Sequence, residues 1–281
     1  MSVRPRILVA AFAAALGVAS CGPLADVVTS SSSTTTASLR VVHGSPDAGS
    51  LDVRIDTVTG TALLSAAAYG RVGSYASVTT GTHYVEILAA GGSTASLQCT
   101  SPSLVAGTRY TVVVAGAAAK GYGTTLGVQC QVFAEPSFST PSGDYTLAVH
   151  HASPAAAAAG YTALSYGTFA PGTAAYQTPA GVASFTPASS NATATGTVAT
   201  DVATGVTSAP GIGFWFAPQT ATVPATVLAT IRPSQGVAGA SGASGTGDTG
   251  DLLPTSTLIN FSVYLVDGQN GAIAQAIGAF D

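Results

Sequence analysis

The chain has 281 residues, of which only 7% are charged, while 33 are Gly and 15 are Pro. An ordinary globular protein carries about 25% charged residues. Nucleic-acid binding needs Lys and Arg to neutralise phosphates, so the composition excludes a nucleic-acid partner. Hydrophobic residues make up 47% of the chain, which is enough for a core and argues against intrinsic disorder. Gly, Pro and β-branched residues in this proportion favour short strands and turns over long helices.

The first 20 residues have the three-part layout of a secretory signal peptide. Arg4 and Arg6 precede an apolar run over 7–18, and small residues then lead to Cys21. The segment that ends at Cys21, Val-Ala-Ser-Cys, resembles the lipobox of bacterial lipoproteins. This resemblance implies that residues 1–20 are a lipoprotein signal peptide, removed before Cys21, and that lipid is attached to Cys21. The alternative is an ordinary signal peptide in which the Cys is incidental.

Residues 21–37 are predicted to be the lipidated Cys and a flexible tether, because the Ser/Thr run over 30–36 has no apolar face to bury. Two or three acyl chains anchor a protein stably where one does not. Gly22 rather than Asp follows the Cys, and in Gram-negative lipoproteins this pattern favours the outer membrane over the inner. We therefore expect an exported protein that is anchored to the bacterial cell envelope by membrane lipid through Cys21.

The chain has three Cys residues, and lipidation of Cys21 leaves Cys99 and Cys130 as a pair. In an oxidising compartment such a pair predicts a disulfide, with two buried free thiols as the alternative. If the intervening strands formed a plain meander, the two Cys residues would lie about 9–10 Å apart, beyond disulfide reach. A disulfide therefore requires that their strands be neighbours or face each other across a sandwich.

The rest of the chain has the pattern of short strands separated by Gly and Pro. Residues 51–56 alternate apolar and charged side chains, which predicts a strand with one buried and one solvated face. Further strands are predicted over 38–43, 75–78, 82–89, 94–99, 109–116 and 125–133. The Ala run over 155–159 lies between Pro154 and Gly160, and we interpret it as a loop. Many short strands with frequent turns predict a β-sandwich or barrel.

An internal repeat divides the mature chain. The segment 39–46, Leu-Arg-Val-Val-His-Gly-Ser-Pro, matches 147–154, Leu-Ala-Val-His-His-Ala-Ser-Pro, and two later matches follow in the same order. This order predicts two copies of one module. We expect a first β-sandwich module over 38–138 and a second, divergent module over 144–281 with a mobile Gly/Ser-rich loop at 238–250.

The opening motif of the first module is Arg-Val-Val-His-Gly-Ser-Pro-Asp-Ala over 40–48, and the strand Leu-Asp-Val-Arg-Ile follows it. Together with Tyr69-Gly70 and a later Tyr-Val-Glu-Ile strand, it resembles the family catalogued as domain of unknown function 4397. The resemblance covers residues 38–135 well, and the second copy only through its opening motif and its last two strands. It implies exported bacterial or archaeal β-sandwich proteins with no agreed activity. We thus predict an all-β chain with two tandem Ig-like β-sandwich modules.

The motif residues of both copies are candidates for chemistry. They are His43, Ser45, Pro46 and Asp47 in the first copy and His151, Ser153 and Pro154 in the second. Pro fixes its own φ and keeps the preceding Ser extended, while Ser and Asp can hydrogen-bond nearby backbone groups, so the motif is predicted to close a turn. The alternative is a Ser-His-Asp hydrolase, but these side chains would splay apart at the turn, and the sequence has no Gly-x-Ser-x-Gly elbow.

The histidines do not form a metal-binding motif. The chain has four of them, His43, His83, His150 and His151, and neither a His-Glu-x-x-His nor a Cys-x-x-Cys motif. His150 and His151 are adjacent, so on a strand they point to opposite faces and cannot both bind one ion. We expect neither a metal nor a cofactor.

Three aromatic residues are candidates for ligand binding: Tyr69, Tyr166 and Trp215. Core packing is the competing interpretation, and it is favoured for Trp215. We expect a non-catalytic cell-envelope lipoprotein that displays its modules for binding or surface architecture, with an unknown protein or glycan as partner. The first alternative is a carbohydrate-binding or adhesion module that uses Tyr and Trp contacts, and a less favoured one is a hydrolase with an unrecognised site.

Overall fold

A computed structural model describes residues 35–135, 145–168, 181–185, 194–198, 214–219, 222, 227–231, 260–270 and 272–280. The predicted signal peptide, Cys21, nearly all of the tether and the loop at 238–250 lie outside these residues. Strands dominate the described part, which confirms the all-β prediction. Among the described residues, no helix is both long and apolar enough to cross a membrane.

The first half of the structure, residues 36–135, contains two four-stranded sheets. Its strands are β1 (Thr36–Gly44), β2 (Leu51–Ile55), β3 (Ala62–Ala67), β4 (Ala76–Thr79), β5 (Tyr84–Ala89), β6 (Ala95–Thr100), β7 (Arg109–Ala115) and β8 (Gln129–Ala134). Sheet 1 has the order β4-β1-β7-β8, and sheet 2 has the order β3-β2-β5-β6. Only β1 and β7 pair in parallel, whereas the other neighbours are antiparallel.

The second half, residues 145–280, repeats this arrangement. Its strands are β9 (Tyr145–His151), β10 (Ala163–Thr168), β11 (Gly181–Ser184), β12 (Ala194–Val198), β13 (Phe214–Pro218), β14 (Ala229–Ile231), β15 (Asn260–Asp267) and β16 (Ala274–Phe280). Sheet 3 has the order β12-β9-β15-β16, and sheet 4 has the order β11-β10-β13-β14. β9 and β15 are again the parallel pair, so sheet 3 corresponds to sheet 1 and sheet 4 to sheet 2.

Two apolar clusters organise the packing. The first lies between sheets 1 and 2 and includes Val41, Val53 and Ile87, which are fully buried. The second joins the two halves, because it contains Val113 of sheet 1 and Ile277 of sheet 3. Sheet 1 is therefore covered on both faces, which explains why the residues of β1 and β7 are buried almost throughout and not only at alternate positions. Residues 34–281 form one compact unit.

The predicted disulfide between Cys99 and Cys130 is confirmed. Cys99 lies on β6 at the edge of sheet 2, Cys130 lies on β8 at the edge of sheet 1, and their Cα atoms are 6.1 Å apart. The two strands face each other across the sandwich, which is one of the two arrangements that the sequence allowed. The disulfide thus links the edge strands β6 and β8 of the two sheets.

The strand at 51–56 differs from its prediction on the face that was expected to be solvated. Asp52 is buried, and its carboxylate accepts hydrogen bonds from the backbone N–H groups of Ala66 at 2.7 Å and Gly91 at 3.1 Å. These bonds lower the pKa of Asp52. Ala66 has a positive φ of 44° within a register shift between β2 and β3. The carboxylate thus stabilises a bulge that the sequence pattern does not reveal.

The interpretation of residues 155–159 as a loop is wrong. A short helix, α1 (Pro154–Ala158), begins there, with Ser153 as its N-cap. The Ser153 hydroxyl accepts a hydrogen bond from the backbone N–H of Ala156 at 3.1 Å. Pro is favoured in the first turn of a helix, and Ala has the highest helix propensity. The Ser cap and the Ala run therefore allow a helix although Pro and Gly flank the segment.

Candidate functional site: the two His-x-Ser-Pro turns and the junction beside them

The first turn is held by the ring of His43 at the end of β1. Its Nε2–H donates to the backbone oxygen of Gly49 at 2.8 Å, and its Nδ1 accepts from the backbone N–H of Ser45 at 3.3 Å. A ring that donates with Nε2 and accepts with Nδ1 is the neutral imidazole. Burial lowers the pKa of His43, although the bond to Gly49 opposes this shift. His43 therefore works as a two-point brace across the turn.

The hydroxyl and carboxylate of the first turn are directed at backbone groups. Ser45 is buried, and its hydroxyl donates to the backbone oxygen of Gly116 at 2.6 Å. Asp47 accepts from the backbone N–H groups of Ala118 at 2.5 Å and Ala119 at 3.0 Å, at the start of a short 3-10 helix. The Ser45 hydroxyl thus has a carbonyl partner and no imidazole base, so these residues do not form the catalytic triad that their types suggest.

The second turn repeats this geometry. The Nε2–H of His151 donates to the backbone oxygen of Tyr161 at 2.8 Å, and its Nδ1 accepts from the backbone N–H of Ser153 at 3.3 Å. Burial lowers the pKa of His151 to about 4, against an opposing contribution from the bond to Tyr161. His151 is therefore also a neutral brace at physiological pH.

The second turn obtains its carboxylate from another strand. Asp267, at the end of β15, accepts from the hydroxyl of Ser153 at 2.6 Å and from the backbone N–H of Ala155 at 3.0 Å. Burial raises the pKa of Asp267, and the charge of Asp47 adds to this rise, while the two hydrogen bonds lower it. The sequence does not reveal the role of Asp267, because nothing around this residue relates it to a turn more than 100 positions earlier.

A buried polar cluster joins the two halves beside these turns. The first half contributes Arg40, Thr111 and Glu135, and the second half contributes His150, Ser262 and Tyr264, all of them buried. We call these six residues the junction cluster. The guanidinium of Arg40 donates to the hydroxyls of Thr111 at 3.0 Å and Tyr264 at 2.8 Å. Because buried polar groups are costly unless they are paired, these contacts determine how the halves fit together.

Glu135 is the centre of the junction cluster. Its carboxylate accepts from Tyr264 at 2.6 Å, from Ser262 at 2.9 Å and from Nε2 of His150 at 3.0 Å. Nη2 of Arg40 lies 3.9 Å from Oε1 of Glu135. Burial alone would raise the pKa of Glu135, but the interactions with His150 and Arg40 outweigh it and hold the pKa at about 2. Glu135 is therefore ionised and fully engaged.

The histidines are not gathered into one site. His150 contacts Glu135 across the junction, whereas His151 contacts Tyr161 within the second half, as expected for neighbours on one strand. His83 lies elsewhere and meets the carboxylate of Asp56 at 3.0 Å. Within the described residues, no group of three or more His, Cys, Asp or Glu residues could hold a metal ion.

Two of the three aromatic candidates are core residues. Trp215 is fully buried and Tyr166 is 2% exposed. They lie on β13 and β10, which pair with each other. The Trp215 ring covers Gly167, where an added Cβ would lie 2.5 Å from Cζ2 of the ring. Neither ring is available as a binding platform in this structure.

Tyr69 is the aromatic candidate that reaches an open surface. It is half-buried, and its hydroxyl lies 2.7 Å from the backbone oxygen of Asp267 and 2.8 Å from Oε1 of Gln275, so that it donates to the second half. Burial raises the pKa of Tyr69 above its ordinary value, with a further contribution from Asp267. The ring borders a cleft of about 410 Å³, which is lined by Pro46, Gly49, Ser50, Ala68, Tyr69 and Gln269. This lining combines polar, aromatic and apolar groups and has no charged side chain.

The comparison with known families agrees with these motifs. The sequence model described as "Domain of unknown function (DUF4397)" matches residues 37–159, from the start of β1 to just beyond α1. No curated protein matches the chain. The matched segment contains the complete first turn together with His151, Ser153 and Pro154 of the second. Over residues 37–159, the chain therefore resembles the family of uncharacterised domains DUF4397.

Proposed function

We propose that the protein is a non-catalytic lipoprotein of the bacterial cell envelope, which displays a β-sandwich body for binding or for surface architecture. The observation that carries the non-catalytic part is the engagement of both turns. The imidazoles of His43 and His151 hydrogen-bond to backbone groups, and the hydroxyl of Ser45 donates to a backbone carbonyl, which is not a base. The hydroxyl of Ser153 donates to the carboxylate of Asp267, but both groups are already engaged with backbone N–H groups at the start of α1, which is a structural arrangement.

The location rests on the sequence. The apolar segment before Cys21 and the Ser/Thr run after it have the composition of a lipoprotein signal and tether. Lipid on Cys21 would hold residues 34–281, which form one compact unit, outside the membrane. A disulfide between Cys99 and Cys130 suits an oxidising compartment, which supports export.

The anchor is tested by metabolic labelling of the full chain in a bacterial host with an alkyne analogue of palmitate. We expect label on the wild type and none on a Cys21→Ser variant, with a Ser20→Ala variant as the control that keeps the sulfur. Label that persists in Cys21→Ser would overturn the lipoprotein assignment. Intact mass measurement of the wild type should show an acylated Cys21 at the mature N-terminus.

The absence of catalysis is tested by a screen of the purified chain, without residues 1–21, against esterase, glycosidase and peptidase substrates. We expect no turnover above the background. Turnover that disappears in both His43→Gln and Ser45→Ala would contradict the proposal, because it would make the first turn an active site. Circular dichroism of both variants shows whether a lost signal is merely lost folding.

A carbohydrate-binding role is the second candidate, and the cleft beside Tyr69 favours it. Its uncharged lining and its aromatic edge suit a neutral, hydroxyl-rich ligand. The test is a glycan array with the wild type, with Ser50→Trp, which would fill the cleft, and with Ser96→Trp, which places the same ring on exposed β6. Binding that is lost only in Ser50→Trp would support the cleft, whereas equal binding by all three would remove it.

A further inference from the structure

The two halves meet through the same face. The registers of β1 with β7 and of β9 with β15 place His43 opposite Val114 and His151 opposite Leu265. Val113 of sheet 1 therefore corresponds to Tyr264 of sheet 3, and by the same alignment Val42 corresponds to His150. All four of these side chains lie at the contact between the halves, since Val42, Val113 and Tyr264 share one apolar cluster and His150 bonds to Glu135. A symmetric homodimer likewise uses one patch on both subunits, so the chain resembles a fused pair of protomers.

We infer that each of these two faces is complementary to the other and not to itself. The first half therefore binds the second half and does not bind a second copy of the first half. The occupant of the sheet 1 face is thus sheet 3 of the same chain. The chemical basis is an unequal division of donors and acceptors in the junction cluster.

The carboxylate at the centre of the junction cluster belongs to the first half, and the three groups that donate hydrogen bonds to it belong to the second. Glu135 receives hydrogen bonds from His150, Ser262 and Tyr264. If a second copy of the first half replaced the second half, Val42 would stand in the position of His150 and Val113 in the position of Tyr264. Neither Val side chain can donate, whereas Thr111 would stand in the position of Ser262 and keeps a hydroxyl. The buried carboxylate would therefore lose two of its three donors.

The two faces also differ in shape, and this difference again favours pairing of the first half with the second half. An added Cβ on Gly44 would clash with Cγ1 of Val266 across the junction. By the strand registers, Ala152 corresponds to Gly44 and Ala115 corresponds to Val266. Pairing of two second halves would set Val266 against Ala152, whose Cβ would occupy the space that Gly44 leaves for the Val266 side chain. Contacts that are made to the correct partner and denied to the wrong one are the ordinary basis of specificity.

The experiment uses the mature chain with a protease site inserted between Ser139 and Thr140. After cleavage, native mass spectrometry and size-exclusion chromatography report which halves stay together. We expect a one-to-one complex of the first with the second half and no pairs of identical halves. Free halves at micromolar concentration, or pairs of first halves, would overturn the inference.

Two variants give the matched controls. Gly44→Val should separate the cleaved halves, and Gly44→Val combined with Val266→Gly should restore the complex, since the second change returns the space. If Gly44→Val fails to fold, Tyr264→Phe serves in its place. It removes one hydroxyl from the junction cluster and should raise the dissociation constant of the halves about tenfold or more, as for a lost bond to a charged group. An unchanged dissociation constant in Tyr264→Phe would contradict the inference.

Discussion

The carboxylate of Asp267 accepts a 2.6 Å hydrogen bond from the hydroxyl of Ser153 and thereby replaces, in the second turn, the acid that Asp47 provides in the first. Asp47 lies on the turn itself and reaches forward to Ala118 and Ala119. Asp267 lies at the end of β15 and reaches back to Ala155. Both arrangements satisfy the first N–H groups of a short helix, so the need for a carboxylate is retained while its source has changed.

This relationship predicts unequal costs for removing the two acids. Asp267→Ala should lower the free energy of unfolding by about 2–3 kcal/mol, because it leaves the buried Ser153 hydroxyl and the Ala155 N–H without their acceptor. Asp47→Ala should cost about 1 kcal/mol, since Asp47 is exposed and water can replace it. Urea unfolding of both variants measures the difference. Equal costs would show that Asp267 does not carry the second turn.

The lowered pKa of Glu135 predicts that the protein loses stability in acid. Its pKa is held at about 2 in the folded protein, below its value in an unfolded chain. A lowered pKa gives stability that is complete above the unfolded pKa and is lost as the pH falls through the folded value. The free energy of unfolding should therefore fall more steeply for the wild type than for Glu135→Gln between about pH 5 and about pH 3.

The control for that measurement is Asp52→Asn. Asp52 also has a lowered pKa, from its bonds to Ala66 and Gly91, so it contributes to the same slope from a different place. Urea unfolding at several pH values should show that the free energy of unfolding depends less on pH in Glu135→Gln than in Asp52→Asn or the wild type. The same slope in Glu135→Gln and the wild type would contradict an ionised carboxylate at the junction.

The cross-sandwich disulfide should be a large contributor to stability. Cys99 and Cys130 are separated by 31 positions, and closing a loop of this length stabilises by about 3–4 kcal/mol in the chain-entropy model. The Cys99→Ala/Cys130→Ala double variant should lose about that much in urea unfolding. Thiol titration of the denatured chain without Cys21 and without reductant should find no free thiol, and two free thiols would refute the bond.

Trp215 and Tyr69 should respond differently to substitution. Trp215→Ala removes a fully buried ring and should cost about 3–5 kcal/mol of stability. Tyr69→Phe keeps the ring beside the cleft, removes a single hydroxyl and should cost about 1 kcal/mol. Thermal unfolding of both variants checks the contrast. A Trp215→Ala variant as stable as the wild type would contradict the assignment of Trp215 to the core.

Local patterns in the sequence predict much of the fold. The β1, β5 and β7 strands fall where runs of β-formers lie between Gly and Pro, because side-chain alternation and turn residues act over a few positions. β3 was not predicted, since the bulge at Ala66 interrupts its alternation. The helix at 154–158 was not predicted, because Pro154 and Gly160 are also typical of a loop, and the bond from Ala156 to the Ser153 cap is visible only in the structure.

The candidate site was only partly predictable. That the motif closes a turn follows from the sequence, because Pro, Ser and Asp act on nearby backbone groups. The pair of hydrogen bonds that each His ring makes is seen only in the structure. The junction cluster does not follow from the motif. Arg40 and Tyr264 are 224 positions apart, and no local pattern indicates that Arg40 on β1 has a phenol as its partner. Contacts between distant strands depend on how the sheets stack, which short-range periodicity does not encode.

The most direct test of the structural role of the turns is ¹⁵N NMR of the His43 and His151 rings across a pH titration. Both rings should be the neutral Nε2–H tautomer at neutral pH, and His151 should begin to titrate only near its lowered pKa of about 4. An Nδ1–H tautomer, or titration of His151 near the ordinary value for histidine, would contradict the account, because either result would free the ring from the turn that it is proposed to hold.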